Sequence, residues 1–312
     1  PCGEDFLGAR PSLSLDEAAR KLAGGAGLFA VIDAQGEEID VLKPGRRDDG
    51  VREVLQLMWP SLIAAGGTQI NVLLNAIFAS FTHGKEAAAA WLGNAQRLQQ
   101  LPLGLFGVAV ATVTLPMLST LATEGVTPAF RAALAKGLRL VFFLTLPCAI
   151  GLSLLATPII SLIFEHGRFT AYDVRQTAAP LQAYAFGLMF YAGIKVVQPA
   201  FYTIGKRFIP MSISLAVIVF NAGMNSFTVF FMGWDHTALA WATAIGLVLN
   251  FITLYLCMRK FAGGLETGSL FRSLGRTGLA AAALGAICVA AKFTALSGWD
   301  GMGLWPRAVS LL

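Results

Sequence analysis

The sequence is poor in charged residues. Aspartate, glutamate, lysine and arginine together make up 13% of its 312 residues, whereas a typical soluble domain has about 25%. Hydrophobic residues make up 56%, and the mean hydropathy is +0.66. A soluble globular protein is therefore excluded, and an integral membrane protein is expected. No basic patch with interleaved aromatic residues indicates nucleic-acid binding. The net charge of +5 is therefore interpreted through the distribution of lysine and arginine among the loops, which sets the orientation in the membrane.

Cysteine pairs and catalytic motifs are also missing. The four cysteines are scattered and form no CxxC pair, so neither a metal site nor a disulfide framework is predicted. The sequence has no P-loop, no nucleophile elbow, no zinc-protease helix and no paired carboxylates. We therefore expect neither an enzyme nor an organic cofactor.

Residues 1–50 differ from the rest of the chain. A short amphipathic helix is predicted over 12–22 and two short strands over 28–42, and nothing here is long enough to cross a bilayer. We interpret this segment as a soluble appendage or linker. The chain begins at Pro1 rather than methionine and ends at Leu312 within an apolar segment, so a fragment of a longer protein is expected.

Residues 51–312 form the predicted membrane domain, an all-α polytopic bundle with about seven spans. Each span needs about 20 mostly apolar residues. The predicted spans lie near 54–81, 98–121, 138–164, 179–202, 208–232, 237–258 and 274–296, and an eighth begins near residue 305. Prolines lie inside several spans, and such discontinuous helices are common in transporters that work by alternating access.

Lysine and arginine set the expected orientation. They are concentrated before the first span and in every second loop after it, whereas the opposite loops hold only Lys85, Arg168, Arg175 and Lys292. By the positive-inside rule, the first span starts in the cytoplasm.

Two cations fall within apolar stretches. Arg97 precedes the long apolar run that ends at Pro116, near the periplasmic end of its span, and Lys195 lies in the middle of its own span. Neither has an obvious acidic partner in a neighbouring span, which favours a cavity that binds an anion over a buried ion pair. For Lys195 the alternative is a side chain that reaches to the membrane surface.

Amide side chains form a second group of candidate residues. Asn71 and Asn75 are four residues apart, as are Asn221 and Asn225, so each pair lies on one helix face. These amides predict either hydrogen bonds between helices or a cation site built from oxygen ligands. In the segment 164–173, Thr170 and Asp173 are typical of a helix start.

The segment 97–119, RLQQLPLGLFGVAVATVTLPMLS, closely resembles the signature of the MurJ (MviN) family of bacterial lipid II flippases. Segments 57–81, 162–173 and 195–210 are similar to that family in the same order, and the resemblance covers about residues 50–296. It implies a fourteen-helix, two-lobed transporter of the multidrug/oligosaccharidyl-lipid/polysaccharide (MOP) exporter superfamily. The predicted spans look like helices seven to thirteen, which form most of the C-terminal lobe.

The resemblance also implies a function in peptidoglycan biosynthesis and cell shape. Lipid II and membrane lipids are the expected partners, in a multi-pass protein of the bacterial inner membrane. The N-terminal lobe, which supplies other cavity arginines, would be needed for function. The alternatives are a related exporter of drugs or O-antigen lipids, and a half-length membrane fragment without transport activity.

Residue roles implied by the resemblance fall into two sets. Arg97 matches a cavity arginine expected to face the lipid II headgroup, and Gln100 stands where some members have glutamate. Lys195, which the apolar pattern alone places in the middle of its span, is expected to bind the headgroup together with Arg97. Asn221 and Asn225 resemble a pair that joins a sodium site in some members, with Asn71 or Asn75, and Thr243, as companions. Because no carboxylate is among them, a sodium ion would lack its usual charged ligand.

Overall fold

The computed structural model describes residues 69–82, 87–264 and 267–294, and within them all regular secondary structure is helical, as predicted. Eight helices follow in chain order: α1 Gln69–Ala79, α2 Ala88–Ala122, α3 Pro128–Leu154, α4 Ala156–Phe164, α5 Ala171–Thr203, α6 Phe208–Phe231, α7 His236–Phe261 and α8 Thr267–Thr294. The elements predicted within 1–50, the start of the span 54–81 and the segment near 305 lie outside the described residues.

Five described helices are long and apolar enough to cross a membrane: α2, α3, α6, α7 and the Arg272–Ala290 part of α8. This pattern confirms a multi-pass membrane protein. The 33-residue helix α5 is long enough but falls outside this class, because it carries polar residues such as Gln182, Lys195 and Gln198. It packs against α2, α3, α4 and α7. Polar side chains are tolerated on such a central helix because they can face protein rather than lipid.

The structure corrects several predicted boundaries, including the starts of α3 at Pro128 and α5 at Ala171, which were predicted near 138 and 179. The span predicted to begin at residue 98 starts at Ala88, so Arg97 lies between two and three turns inside α2. The span predicted over 138–164 is divided into α3 and α4 at Leu155, where φ is −100° and ψ is 18°. Pro158 explains the division, because proline cannot donate a backbone hydrogen bond and its ring crowds the carbonyl four residues earlier.

Helix α2 contains a π-helical turn over Leu103–Val108, directly after Pro102. A proline in a helix interior removes one backbone hydrogen bond, and the wider turn accommodates that loss. Gly107 lies in this turn, where an added Cβ would be 3.5 Å from the Cβ of Ala192 on α5. The turn therefore brings α2 into close contact with the central helix.

The helix start predicted at Thr170 and Asp173 is confirmed. The two residues form a capping box at the first turn of α5, with Thr170 N donating to Asp173 Oδ2 over 2.7 Å. Trp91 Nε1 on α2 donates to Asp173 Oδ1 over 3.0 Å. Burial favours the neutral carboxyl, but these hydrogen bonds outweigh it and hold the pKa of Asp173 below its ordinary value.

Candidate functional site

A polar cavity of about 130 Å³ lies among α1, α2, α5, α6 and α7. Its walls are made of amide, phenol and hydroxyl groups, a few aliphatic side chains and one lysine, with no carboxylate among the described lining residues. The polar residues of the lining are Asn71, Gln96, Gln99, Tyr184, Tyr191, Lys195, Gln198, Ser214, Asn221, Thr243 and Asn250. Because lysine is the one charged type in this lining, the cavity is suited to an anion.

Lys195 is half-buried and contributes to the cavity from α5. Its Nζ lies 5.1 Å from the centre of the Tyr191 ring, one turn earlier on the same helix. That distance is within the range of a cation–π contact, which stabilises the ammonium group without neutralising it. The lysine therefore remains available for a negatively charged group that enters the cavity.

Four of the five residues considered for a cation site meet across α1, α6 and α7. Asn75 Nδ2 donates to Thr243 Oγ1 over 3.0 Å and to Asn71 Oδ1 over 3.3 Å. Asn225 Nδ2 donates to Asn75 Oδ1 over 2.8 Å. We refer to Asn71, Asn75, Thr243 and Asn225 as the amide network.

Asn221, the fifth residue, lies at the cavity wall without a hydrogen bond to the amide network in the structure. Its Nδ2 donates to the Val217 carbonyl of its own helix over 3.2 Å, and its Oδ1 is buried with no partner. An added Cβ at Gly246 would lie 2.2 Å from Asn221 Nδ2. Glycine at that position is therefore what allows α6 and α7 to approach each other here.

Arg97 and Gln100 lie on an exposed face of α2 and are not among the residues that line the cavity. The neighbouring glutamines face inward instead: Gln96 and Gln99 line the cavity, and Gln99 Nε2 donates to the Tyr184 carbonyl over 2.7 Å. The structure thus does not bring Arg97 and Lys195 to one cavity surface. The substrate-binding roles of Arg97, Gln100 and Lys195 stay predictions.

The sequence did carry a signal for the residues that were missed. Tyr184, Tyr191, Lys195 and Gln198 recur at spacings of seven, four and three residues, which places them along one face of α5. A search for polar residues at helical spacing around Lys195 would have identified this stripe. The sequence around Arg97 does not show that Gln99, and not Arg97, faces the cavity, because that depends on how α2 is rotated in the bundle.

A second polar group joins α2, α5 and α7 around Trp91. Besides the bond from Trp91 to Asp173, buried His236 places Nε2 2.9 Å from the Gln176 carbonyl, and its ring centre lies 5.0 Å from that of Trp91. A carbonyl can only accept, so His236 carries a proton on Nε2 in this contact. We refer to Trp91, Asp173, Gln176 and His236 as the tryptophan junction.

Comparisons with known proteins identify the relatives of this chain. The family model described as "Lipid II flippase MurJ" matches residues 28–305, so the match begins inside the segment 1–50, for which a soluble appendage or linker was predicted. The "Probable lipid II flippase MurJ" of Vibrio cholerae is 36% identical over 213 residues, which cover 68% of this chain and 40% of the relative. The "Lipid II flippase MurJ" of Burkholderia cenocepacia is 33% identical over 214 residues, covering 69% of this chain and 41% of the relative.

The fold agrees with these sequence matches. A solved structure of "Lipid II flippase MurJ, inward closed conformation" superposes with a TM-score of 0.66 at 21% identity and covers 89% of this chain and 54% of that one. The chain thus spans less than half the length of the two sequence relatives and about half of the solved structure. On the family match over most of its residues and on these identities, the chain belongs to the MurJ family of lipid II flippases.

Proposed function

We propose that this chain is part of a lipid II flippase, which moves the undecaprenyl-diphosphate-linked peptidoglycan precursor across the bacterial inner membrane by alternating access. The observation that carries the proposal is the position of Lys195, in a cavity whose described lining has no carboxylate. A cation held among neutral polar groups attracts an anion more strongly than one paired with an acid, since the ammonium charge is not neutralised locally. The lipid diphosphate is such an anion.

The other cavity residues would complement the headgroup by hydrogen bonding. Gln96, Gln198 and Ser214 present amide and hydroxyl groups to the cavity from α2, α5 and α6. Such groups can donate to phosphate oxygens or pair with sugar hydroxyls, whereas the apolar lipid tail would remain in the bilayer. Tyr191 would orient the Lys195 ammonium group through the contact described above.

Arg97 fits the same proposal from a different surface. It lies on the exposed face of α2, and in the assembled two-lobed transporter this face would meet the headgroup together with residues of the N-terminal lobe. The planar guanidinium group can bind a phosphate through two parallel hydrogen bonds. The proposal therefore assigns Lys195 and Arg97 to two contacts with one substrate, and it includes the N-terminal lobe as a required partner.

The test is complementation of a bacterial strain depleted of its own lipid II flippase. The protein at its full natural length carries Lys195→Met, which removes the charge and keeps most of the side-chain volume. We expect loss of growth rescue and accumulation of lipid II in the inner leaflet, at wild-type levels of the protein in the membrane. Lys206→Met is the matched control, because Lys206 is exposed between α5 and α6 and does not line the cavity. Normal rescue by Lys195→Met would contradict the proposal.

A further inference from the structure

The amide network consists of four of the five residues that the sequence predicted for a cation site. Its hydrogen bonds show whether its oxygens are free to bind a cation. A hard cation binds through several oxygen ligands, usually with a carboxylate among them. Asn71 Oδ1 and Thr243 Oγ1 are two suitable neutral oxygens. In the structure both accept from one group, the Nδ2 amide of Asn75, at 3.3 and 3.0 Å. The positive end of the Asn75 amide dipole thus lies where a cation would contact these oxygens.

Most other polar atoms of the network are also engaged in hydrogen bonds. Asn75 Oδ1 is the third oxygen of the group, and it accepts from Asn225 Nδ2 at 2.8 Å. Thr243 donates its own hydroxyl to the Leu239 carbonyl at 2.9 Å, which directs the hydroxyl lone pairs away from α7 and toward Asn75. The side chains of Asn75 and Asn225 are buried. Three of the four side-chain oxygens of the network thus accept from amide N–H groups, whereas Asn225 Oδ1 is buried without a hydrogen-bond partner. Because one neutral oxygen is left and no carboxylate is present, this set of residues does not fit a bound cation as it is arranged.

We propose that the amide network is a neutral, built-in substitute for a bound monovalent cation, which links α1, α6 and α7 without an ion. The proposal goes beyond the transport function and does not depend on the identity of the substrate. It has a specific chemical consequence. Asn75→Asp replaces the Nδ2 group by a carboxylate oxygen, so that this oxygen faces Asn71 Oδ1 and Thr243 Oγ1. Three oxygens and one negative charge would then converge, which supplies the charged oxygen ligand that the native network lacks for a hard cation.

The experiment measures thermal unfolding of the purified full-length protein in detergent. Each variant is compared in NaCl, KCl and choline chloride at equal ionic strength, at about pH 9 so that a buried carboxyl is ionised. We expect the wild-type Tm to be the same in all three salts to within about 1 °C. The Tm of Asn75→Asp should fall by several degrees in choline chloride and recover in NaCl along a saturating curve, since a ligand that binds only the folded state stabilises it by mass action.

Two further variants complete the design. Asn250→Asp is the matched control, because Asn250 is a buried asparagine outside the amide network, and its Tm should fall without recovery in NaCl. Asn225→Asp places a carboxylate beside Asn75 Oδ1 and provides a second test should Asn75→Asp fail to fold.

Two results would overturn the proposal. A saturable rise of the wild-type Tm in NaCl over choline chloride would show that the native network already binds a cation. An equal loss of Tm in all three salts for both network variants would show that the amides are only a hydrogen-bonded link between helices.

Discussion

The cavity and the tryptophan junction are both polar groups within the bundle, but they differ in how far their hydrogen bonds are satisfied. In the junction, Asp173 accepts from Thr170 and Trp91, and His236 contacts the Gln176 carbonyl. At the cavity, Lys195 faces no carboxylate among the described lining residues, and the buried Oδ1 atoms of Asn221 and Asn250 have no hydrogen-bond partner.

Unsatisfied polar groups in a folded protein are costly, whereas satisfied ones stabilise the native state. We therefore expect the cavity to bind a ligand and the tryptophan junction to hold helices together. Substitutions at the cavity should change transport more than stability, and substitutions at the junction should do the reverse.

The largest effect is expected for reversal of the cavity charge. Under the proposed function, Lys195→Glu would place a carboxylate opposite the lipid diphosphate and should abolish transport, because like charges at close range repel in a medium of low dielectric constant. The measurement is translocation of fluorescent lipid II in proteoliposomes, with Lys206→Glu as the control. Residual transport above about a tenth of the wild-type rate would show that Lys195 does not contact the charged headgroup.

Arg97→Ala examines whether the exposed face of α2 acts with the cavity. We expect that the full-length variant reaches the membrane but does not complement a flippase-depleted strain. Because Arg97 is exposed in this chain, its Tm should change little, since surface substitutions are usually within about 0.5 kcal/mol. Wild-type growth would remove Arg97 from the binding site and leave Lys195 as the anion contact of this chain.

Gly246→Ala is expected to be the most destabilising of the conservative changes. The new Cβ would lie 2.2 Å from Asn221 Nδ2, so α6 and α7 must separate or Asn221 must change rotamer. Overpacking of this kind costs about 1–3 kcal/mol. The change is measured as a lower Tm in detergent, and Asn221→Ala in the same chain should restore most of the loss. A failure of that second substitution would show that Asn221 is not the group that Gly246 accommodates.

Trp91→Phe should affect stability without affecting transport. The substitution keeps an aromatic ring against His236 but removes the hydrogen bond from Trp91 Nε1 to Asp173. We expect a loss of about 1.5 kcal/mol in unfolding free energy, the lower end for a hydrogen bond to a charged group because Asp173 is only half-buried, with transport unchanged at a temperature well below the Tm. Loss of transport at wild-type stability would show that the tryptophan junction takes part in transport, and would contradict the division of roles between the cavity and the junction.

The smallest effect concerns pH. The pKa of Asp173 is lower in the folded state than in the unfolded state, so its contribution to stability is present above the unfolded pKa of about 3.9 and is lost as pH falls through the folded value. Asp173→Asn should therefore lower stability at neutral pH, and the difference from wild type should shrink below about pH 4. A difference that stays constant across this range would mean that the charge of Asp173 contributes nothing.

The order and class of the elements were predictable, because runs of about 20 apolar residues leave few alternatives to membrane helices. The amide network was predictable in part: spacing of four residues placed each asparagine pair on one face, but only the packing of α1 against α6 and α7 shows that Asn75 donates to Thr243. The division at Leu155 and the outward direction of Arg97 were not predicted. Both depend on how helices rotate and pack, and a hydropathy pattern does not contain that information.

The most direct test of the central claim is equilibrium binding of the charged headgroup to the cavity. Purified full-length protein and its Lys195→Met variant are titrated with undecaprenyl diphosphate and, separately, with uncharged undecaprenol. The account predicts that Lys195→Met weakens binding of the diphosphate lipid by at least about tenfold, equivalent to about 1.4 kcal/mol, and leaves binding of undecaprenol unchanged. Equal affinities of the two proteins for undecaprenyl diphosphate would contradict the claim that Lys195 forms an anion site in this cavity.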